Sequence, residues 1–415
     1  MQLTIISCAI FFLFLAQDLK AQFSKIIPNM WDKISKRDTT KVGIMTYERP
    51  DWQAIDVNFL SSYYAQDGNN SPVTGGIGTE QLTDFTQKLI VSVPVNEKLT
   101  MLVDGGYDYY SSASTDNIDN IRSSDSKSDV RMHGNLGFNY QLTDAQTFGA
   151  RLGASTEYDY TSVNFGLNYG WQSADENTAV DMSLQAFIDQ WALYFPAELR
   201  GTASVPTKQR QSYNASLSIS QVLSKKVQAQ IQLEATYMNG LLSTPFHRVY
   251  FQDADAVRIE NLPSTRLKIP IGLRVNTFLS EKVIARWYYR FYWDDWGVQA
   301  HTASVELPIK INRFFSVFPF YRFHTQTAAD YFQPYQQHQT SSTFYTSDFD
   351  LSALQSHSFG LGLSYSPANG IAKIKLPFRK RPTFTVKSID LKYSRYYRST
   401  GLQSDIISLG FSFSF

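Results

Sequence analysis

Cysteine is almost missing from this chain: Cys8 is the only one in 415 residues. It lies inside the apolar run from Leu3 to Ala16 and is followed by more apolar sequence, so it is not placed as a lipid-attachment cysteine. Disulfide and thiolate chemistry are thereby excluded from a chain that loses its first residues. An excess of charge of one sign is missing too, since 38 Lys and Arg nearly cancel 37 Asp and Glu. Without a basic surplus to neutralise phosphates, no nucleic-acid partner is expected. Beyond Ala21 no apolar run reaches the ~20 residues that a spanning helix needs. The catalytic signatures H-E-x-x-H and G-x-S-x-G and the phosphate loop are absent, and "GIGTE" (76–80) reads as loop glycine. The six histidines, His133, His247, His301, His324, His338 and His357, show no metal-ligand spacing. No enzymatic activity, cofactor or metal is therefore expected.

What the chain does have is aromatic side chains, 15% of the residues, with 25 Tyr and 29 Phe. Its start, "MQLTIISCAIFFLFLAQDLKAQF", resembles a secretory signal peptide over 1–21, cleaved after Ala21, although no Lys or Arg precedes the apolar run and Leu19 occupies a position that favours a small residue. The alternative, an uncleaved anchor, falls short of a spanning length. Residues 22–50 read as a periplasmic N-terminal segment and 51–415 as one barrel.

From there a period of two recurs almost without pause. In "VQAQIQLEATY" (227–237), Val, Ala, Ile, Leu, Ala and Tyr fall on one face, and Gln, Gln, Gln, Glu and Thr on the other. "YNASLSIS" (213–220), "VNFGLNYGW" (163–171) and "HGNLGFNY" (133–140) alternate likewise. A soluble sandwich turns its bulky aliphatics inward. Here the polar face suits a wet interior, so the apolar face belongs against lipid, which predicts an all-β, antiparallel, up-and-down transmembrane barrel. Segments of suitable length number about sixteen, from 51–65 to 402–415. Tight polar connections such as "NEK" (96–98) and "SEK" (280–282) alternate with long ones at 67–80, 115–129, 194–209, 240–265 and 328–355. That asymmetry is the habit of bacterial outer-membrane barrels, with both termini on the short-turn, periplasmic side. The last strand ends "SLGFSFSF", with Phe411, Phe413 and Phe415 on the lipid face. These three look like the signal by which the outer-membrane barrel assembly machinery recognises its clients.

From Phe246 onward the chain carries "HRVYFQD" (247–253), "ENLPSTR" (260–266), "YYRFYWDDWGVQAHT" (288–302), "YRFHTQTAADYF" (321–332) and "YTSDFDLSALQSHSFGLGL" (345–363). Across residues 240–365 these segments resemble an uncharacterised bacterial outer-membrane family, domain of unknown function 3570 (DUF 3570). The resemblance implies an architecture and no activity.

Parity along 282–296 turns Arg286, Arg290 and Asp294 toward the lumen, and neighbouring strands add Arg274, Lys268, Arg322, His324 and Gln326. Opposed charges are expected there, chiefly the arginines Arg286, Arg290 and Arg322 against Asp294 and Glu306. They form either a selectivity site for a polar, anionic solute or a paired network that stiffens the wall. A bulge at Gly297 leaves the direction of His301 open. The basic stretch "KIKLPFRKRP" (373–382) reads as a long periplasmic turn, available to a periplasmic partner or to lipid headgroups. The leading expectation is an outer-membrane channel for small polar solutes; the second is a plugged barrel serving as a structural or partner platform in an envelope complex, and the least expected is an outer-membrane enzyme.

Overall fold

The computed structural model describes residues 54–111, 128–199, 205–375 and 383–415. The expected leader and N-terminal segment, 1–21 and 22–50, lie outside these residues. No helix among the described residues is long and apolar enough to cross a membrane. Among the described residues, twenty strands carry the architecture. The first nine are β1 (Asp56–Asp67), β2 (Leu82–Pro94), β3 (Leu99–Ser111), β4 (Ser128–Thr143), β5 (Gln146–Thr156), β6 (Tyr160–Gln172), β7 (Thr178–Ala192), β8 (Thr207–Ser224) and β9 (Val227–Gly240). A miniature hairpin follows, β10 (Arg248–Val249) with β11 (Arg258–Ile259). Then come β12 (Thr265–Phe278), β13 (Ile284–Asp294), β14 (Gln299–Glu306), β15 (Ile309–Lys310), β16 (Phe315–Gln326) and β17 (Leu354–Tyr365). The series ends with β18 (Ala372–Lys375), β19 (Thr383–Arg398) and β20 (Gln403–Ser414).

Successive wall strands pair antiparallel, and β20 returns to β1 from Asp56↔Ser414 to Asp67↔Gln403, closing a sixteen-strand barrel. Closure leaves no unpaired edge. Phe411 and Phe413 of β20 share the outward parity of Ile407 and Leu409, and there they stack with centroids 6.1 Å apart, while Phe384 of β19 packs 4.8 Å from Phe413 and 4.9 Å from Phe415.

Beyond the register slips beside two tight turns, at Gln141/Thr143 and Val222/Ser224, the described wall departs from a uniform alternation near Pro308 and in β19. Pro308 offers no ladder N–H, so the strand expected over 299–312 breaks into β14 and β15. In β19 the register slips between Val386 and Ser388, so the outward phase passes from Phe384 and Val386 to Ile389, Leu391 and Tyr393. Of the basic stretch 373–382, Lys373, Ile374 and Lys375 are strand rather than turn, adding to β19 through β18; 376–382 lie outside the described residues.

Outward positions form an apolar belt. Leu152 is 60% exposed, Val163 59% and Leu184 58%, on neighbouring strands. In water so much contiguous apolar surface would drive association; against hydrocarbon it is the favourable face. Inward positions carry hydrogen-bonded polar groups, as where Asp104 accepts from Asn135 at 3.0 Å and from Arg151 at 2.6 Å. The wall is that of an outer-membrane β-barrel. The described residues bury their densest apolar cluster elsewhere, in the long loops, around Val249, Phe251 and Tyr345.

Candidate functional site

The lumen sector comes directly from the registers of β12, β13, β14 and β16. Arg274 lies opposite Tyr288, Tyr288 opposite Ser304 and Ser304 opposite Arg322, one line of inward side chains across four strands. Arg290 stands one inward position nearer the long-loop rim, opposite Gly272 and Thr302, with His324 beyond Thr302. The His324 Nδ1 shares a 2.8 Å hydrogen bond with the Thr302 hydroxyl. Arg286 is paired, its Nη1 donating to Glu306 at 2.8 Å. Among the described residues no carboxylate lies within ion-pair distance of Arg274, Arg290 or Arg322. Arg274 instead lies over the Tyr288 ring at 5.1 Å and Arg290 beside Tyr292 at 6.0 Å.

Asp294 has a different neighbourhood from the one its parity led to expect. Its partner is Arg266, whose Nε and Nη2 both donate to Oδ2, at 3.0 and 2.5 Å. The Tyr292 hydroxyl donates to the same oxygen at 2.7 Å, while Oδ1 accepts from the backbone N–H groups of Trp296 at 3.1 Å and Val298 at 2.9 Å. With its side chain wholly buried, Asp294 locks the β13–β14 turn. Arg266 is sandwiched there by Trp296, 4.2 Å from its guanidinium. Gly297 takes φ +88 within that turn, so no bulge enters β14, and His301 faces outward, where its Nδ1 bonds the Tyr289 hydroxyl at 2.8 Å. His357 and Tyr321 repeat that pairing at 2.8 Å.

Above the sector the long loops pack on one another. The loop after β1 leaves the rim half the barrel away from the loop between β9 and β12, yet Arg248 Nη1 donates to the Val73 carbonyl at 2.7 Å. Since a sixteen-strand barrel is roughly 30 Å across, this contact requires the loops to reach over the mouth. Arg248 also grips Glu198, from the β7–β8 connection, in a bidentate pair of 2.5 and 3.0 Å. Gly75 and Gly76 make the approach possible: both hold positive φ, and a Cβ on Gly76 would stand 2.7 Å from the Ser347 carbonyl. The loop between β16 and β17 completes the cap through Asn261 and Tyr345, whose backbones exchange hydrogen bonds of 2.8 and 3.1 Å. A cavity of ≈ 480 Å³ opens in it beside Gln252, Gln333, Gln336, Gln337, Gln339 and His338.

Buried titratable groups gather inside this cap. Burial pushes the Glu80 carboxyl up to about 7, against the opposing pull of Arg398 and with the push of Asp350 and Asp348. A carboxyl whose folded pKa is raised adds stability that is complete below its unfolded value of about 4.3 and is lost as pH climbs through the folded one. The heat-modification midpoint should therefore fall between pH 5 and pH 8, and Glu80→Gln should flatten that slope; equal slopes in the two proteins would contradict the assignment. Burial disfavours charge on His247, but Glu260, Asp348 and Asp350 outweigh it and raise its pKa.

The segments on which the family resemblance rests fall in the lumen sector, the β13–β14 latch, the cap and the adjoining strand β17. Residues 105–376 match the family described as "Protein of unknown function (DUF3570)", a span well over half of the chain. The chain belongs to that family. The match contains the whole of residues 240–365 and extends toward the N-terminus as far as β3. Against curated proteins this DUF3570 chain has no match. Among solved structures it is similar to the siderophore receptor PirA from Pseudomonas aeruginosa, at 10% identity and TM-score 0.40, covering 88% of this chain and 81% of that one. It is also similar to a bacterial polysaccharide outer membrane secretin, at 9% identity and TM-score 0.45, covering 86% and 98%. OccK1 (OpdK) from Pseudomonas aeruginosa is a third, at 8% identity and TM-score 0.40, covering 87% and 98%.

Two features of this DUF3570 chain escaped sequence reasoning. Arg266 was hidden because its link to Asp294 is diagonal, two residues beyond the Lys268↔Asp294 pair. The assembly of His247, Glu260 and Asp348 was hidden because their chain separations match no motif, although each lies in a segment that carries the family likeness.

Proposed function

We infer that this protein is a non-enzymatic outer-membrane conduit for small polar solutes, biased toward anions, with a mouth closed by its loop cap in the conformation described. The observation that carries the reading is that, among the described residues, no carboxylate pairs with Arg274, Arg290 or Arg322 on the wall of a polar lumen, beside an Arg286 that does have its carboxylate. Rings of Arg or Lys in a water-filled passage attract anions and repel cations. In this reading the termini and short turns face the periplasm, the cap faces outward, and Phe411, Phe413 and Phe415 address the chain to the barrel assembly machinery. Purified protein in planar bilayers should conduct with a reversal potential in asymmetric salt that favours anions. Substituting both Arg290→Gln and Arg322→Gln should move that potential toward cations while the heat-modification midpoint stays within a few degrees. An unchanged potential would refute the arginine sector as the selectivity element.

The cap favours a second reading. If its packing never opens, the barrel is a platform for an envelope partner. A silent intact chain that conducts only once its cap is removed would support that role over the conduit.

A further inference from the structure

His247, Glu260 and Asp348 meet inside the cap on three backbone segments laid side by side. The β10–β11 hairpin, extended by one residue, sets Glu260 opposite His247, with the Glu260 N–H donating to the His247 carbonyl at 3.0 Å. The segment around Tyr345 pairs with Asn261 on the other side and delivers Asp348. The His247 Nδ1 lies 3.6 Å from Glu260 Oε1 and 4.0 Å from Asp348 Oδ2, and one ligand atom from each residue lies within 4.8 Å of the others.

Two observations set this cluster apart from a surface group of acids. The Nδ1 of His247 is closed off from solvent and has no hydrogen-bond partner, in a side chain only 12% exposed. Both carboxylates are held from behind: Glu260 accepts from the Thr244 N–H at 2.7 Å and the Thr346 hydroxyl at 2.5 Å, and Asp348 accepts from the Asp350 N–H at 2.9 Å. Such outer partners orient metal ligands and set their basicity. Two ligands of one zinc ion, each about 2.1 Å from it, stand ~3.4 Å apart at the tetrahedral angle, so the 3.6 and 4.0 Å spacings to His247 need close by about 0.2 and about 0.6 Å and the two carboxylates by no more than about 1.4 Å, within the reach of side-chain rotation.

We propose that His247, Glu260 and Asp348 form a three-ligand site for a zinc-type divalent cation that staples the β9–β12 loop to the β16–β17 loop. One imidazole nitrogen and two carboxylates make a borderline donor set that zinc accepts, whereas calcium calls for six or more oxygens. The fourth position is left to water, and the metal adds a crosslink between segments about 90 residues apart in the chain, which restrains the open cap. This goes beyond the conduit reading and stands whether or not the lumen conducts.

The test uses the full chain, purified in detergent, stripped with chelator and re-equilibrated with zinc chloride alone. After removal of free metal the wild type should retain about one zinc per chain, and zinc should slow proteolysis within residues 241–264 at least tenfold. His247→Gln and Asp348→Asn should each abolish both effects. His357→Phe, on the outer wall, should preserve them. Heat modifiability first confirms that each variant has formed its barrel, so loss of metal is read only on folded protein. A wild type that holds no zinc, or that binds calcium in its place, overturns the proposal. So does a His247→Gln variant that keeps the metal, and metal retention with unaltered proteolysis overturns the stapling role.

Discussion

Asp294→Ala should cost the barrel ~3–5 kcal/mol, the penalty of leaving the buried Arg266 guanidinium without its counter-charge. The loss extends beyond the ion pair, because Asp294 also accepts from two backbone N–H groups of its turn, those of Trp296 and Val298. Asp294→Asn should fall between wild type and the alanine variant, since an amide oxygen can still accept from the turn while Arg266 loses its anion. In both variants the heat-modification midpoint drops and the reversal potential in asymmetric salt stays put. The carboxylate is fully buried and already neutralised by Arg266, so a permeating ion does not feel it. A shifted reversal potential at an unchanged midpoint would reverse this assignment and return Asp294 to the lumen.

Replacing residues 244–261 by a short glycine-serine connection should convert a closed mouth into the open lumen of a sixteen-strand barrel. Barrels of that size leave an aqueous channel when nothing fills them. The expected change is the largest of any proposed here, from rare or small openings to a steady conductance of porin size, with the wall intact because none of the removed residues belongs to a wall strand. Arg248→Ala is the graded version. It removes the pair with Glu198 and the bond to the Val73 carbonyl, and bonds to charged groups contribute about 1.5–3 kcal/mol each, so openings should become frequent without the cap being lost. If the truncated chain conducts no better than the intact one, the cap does not control the passage.

Both experiments act on features that differ in how far the chain announces them. Arg286, Arg290 and Asp294 share one parity, and the side of the wall each faces follows from period two alone, because a strand has only two faces. Which carboxylate meets which arginine does not follow. Arg286 reaches Glu306 straight across a strand pair, whereas Asp294 is taken on a diagonal by Arg266, at the start of β12, whose guanidinium the Trp296 ring flanks. The direction of His301 likewise waited on whether Gly297 made a turn or a bulge.

The sixteen-strand wall, the lipid-facing belt and the alternation of short and long connections were determined by sequence alone. They rest on local physics: alternation, turn-forming residues and the need to satisfy every backbone group in lipid. The cap was decided only by tertiary structure. Loops have no periodicity to read, and Val73, Glu198, Arg248, Glu260 and Asp348 come from four separate connections. Their contacts exist only after barrel closure sets opposite points of the rim within reach of one another.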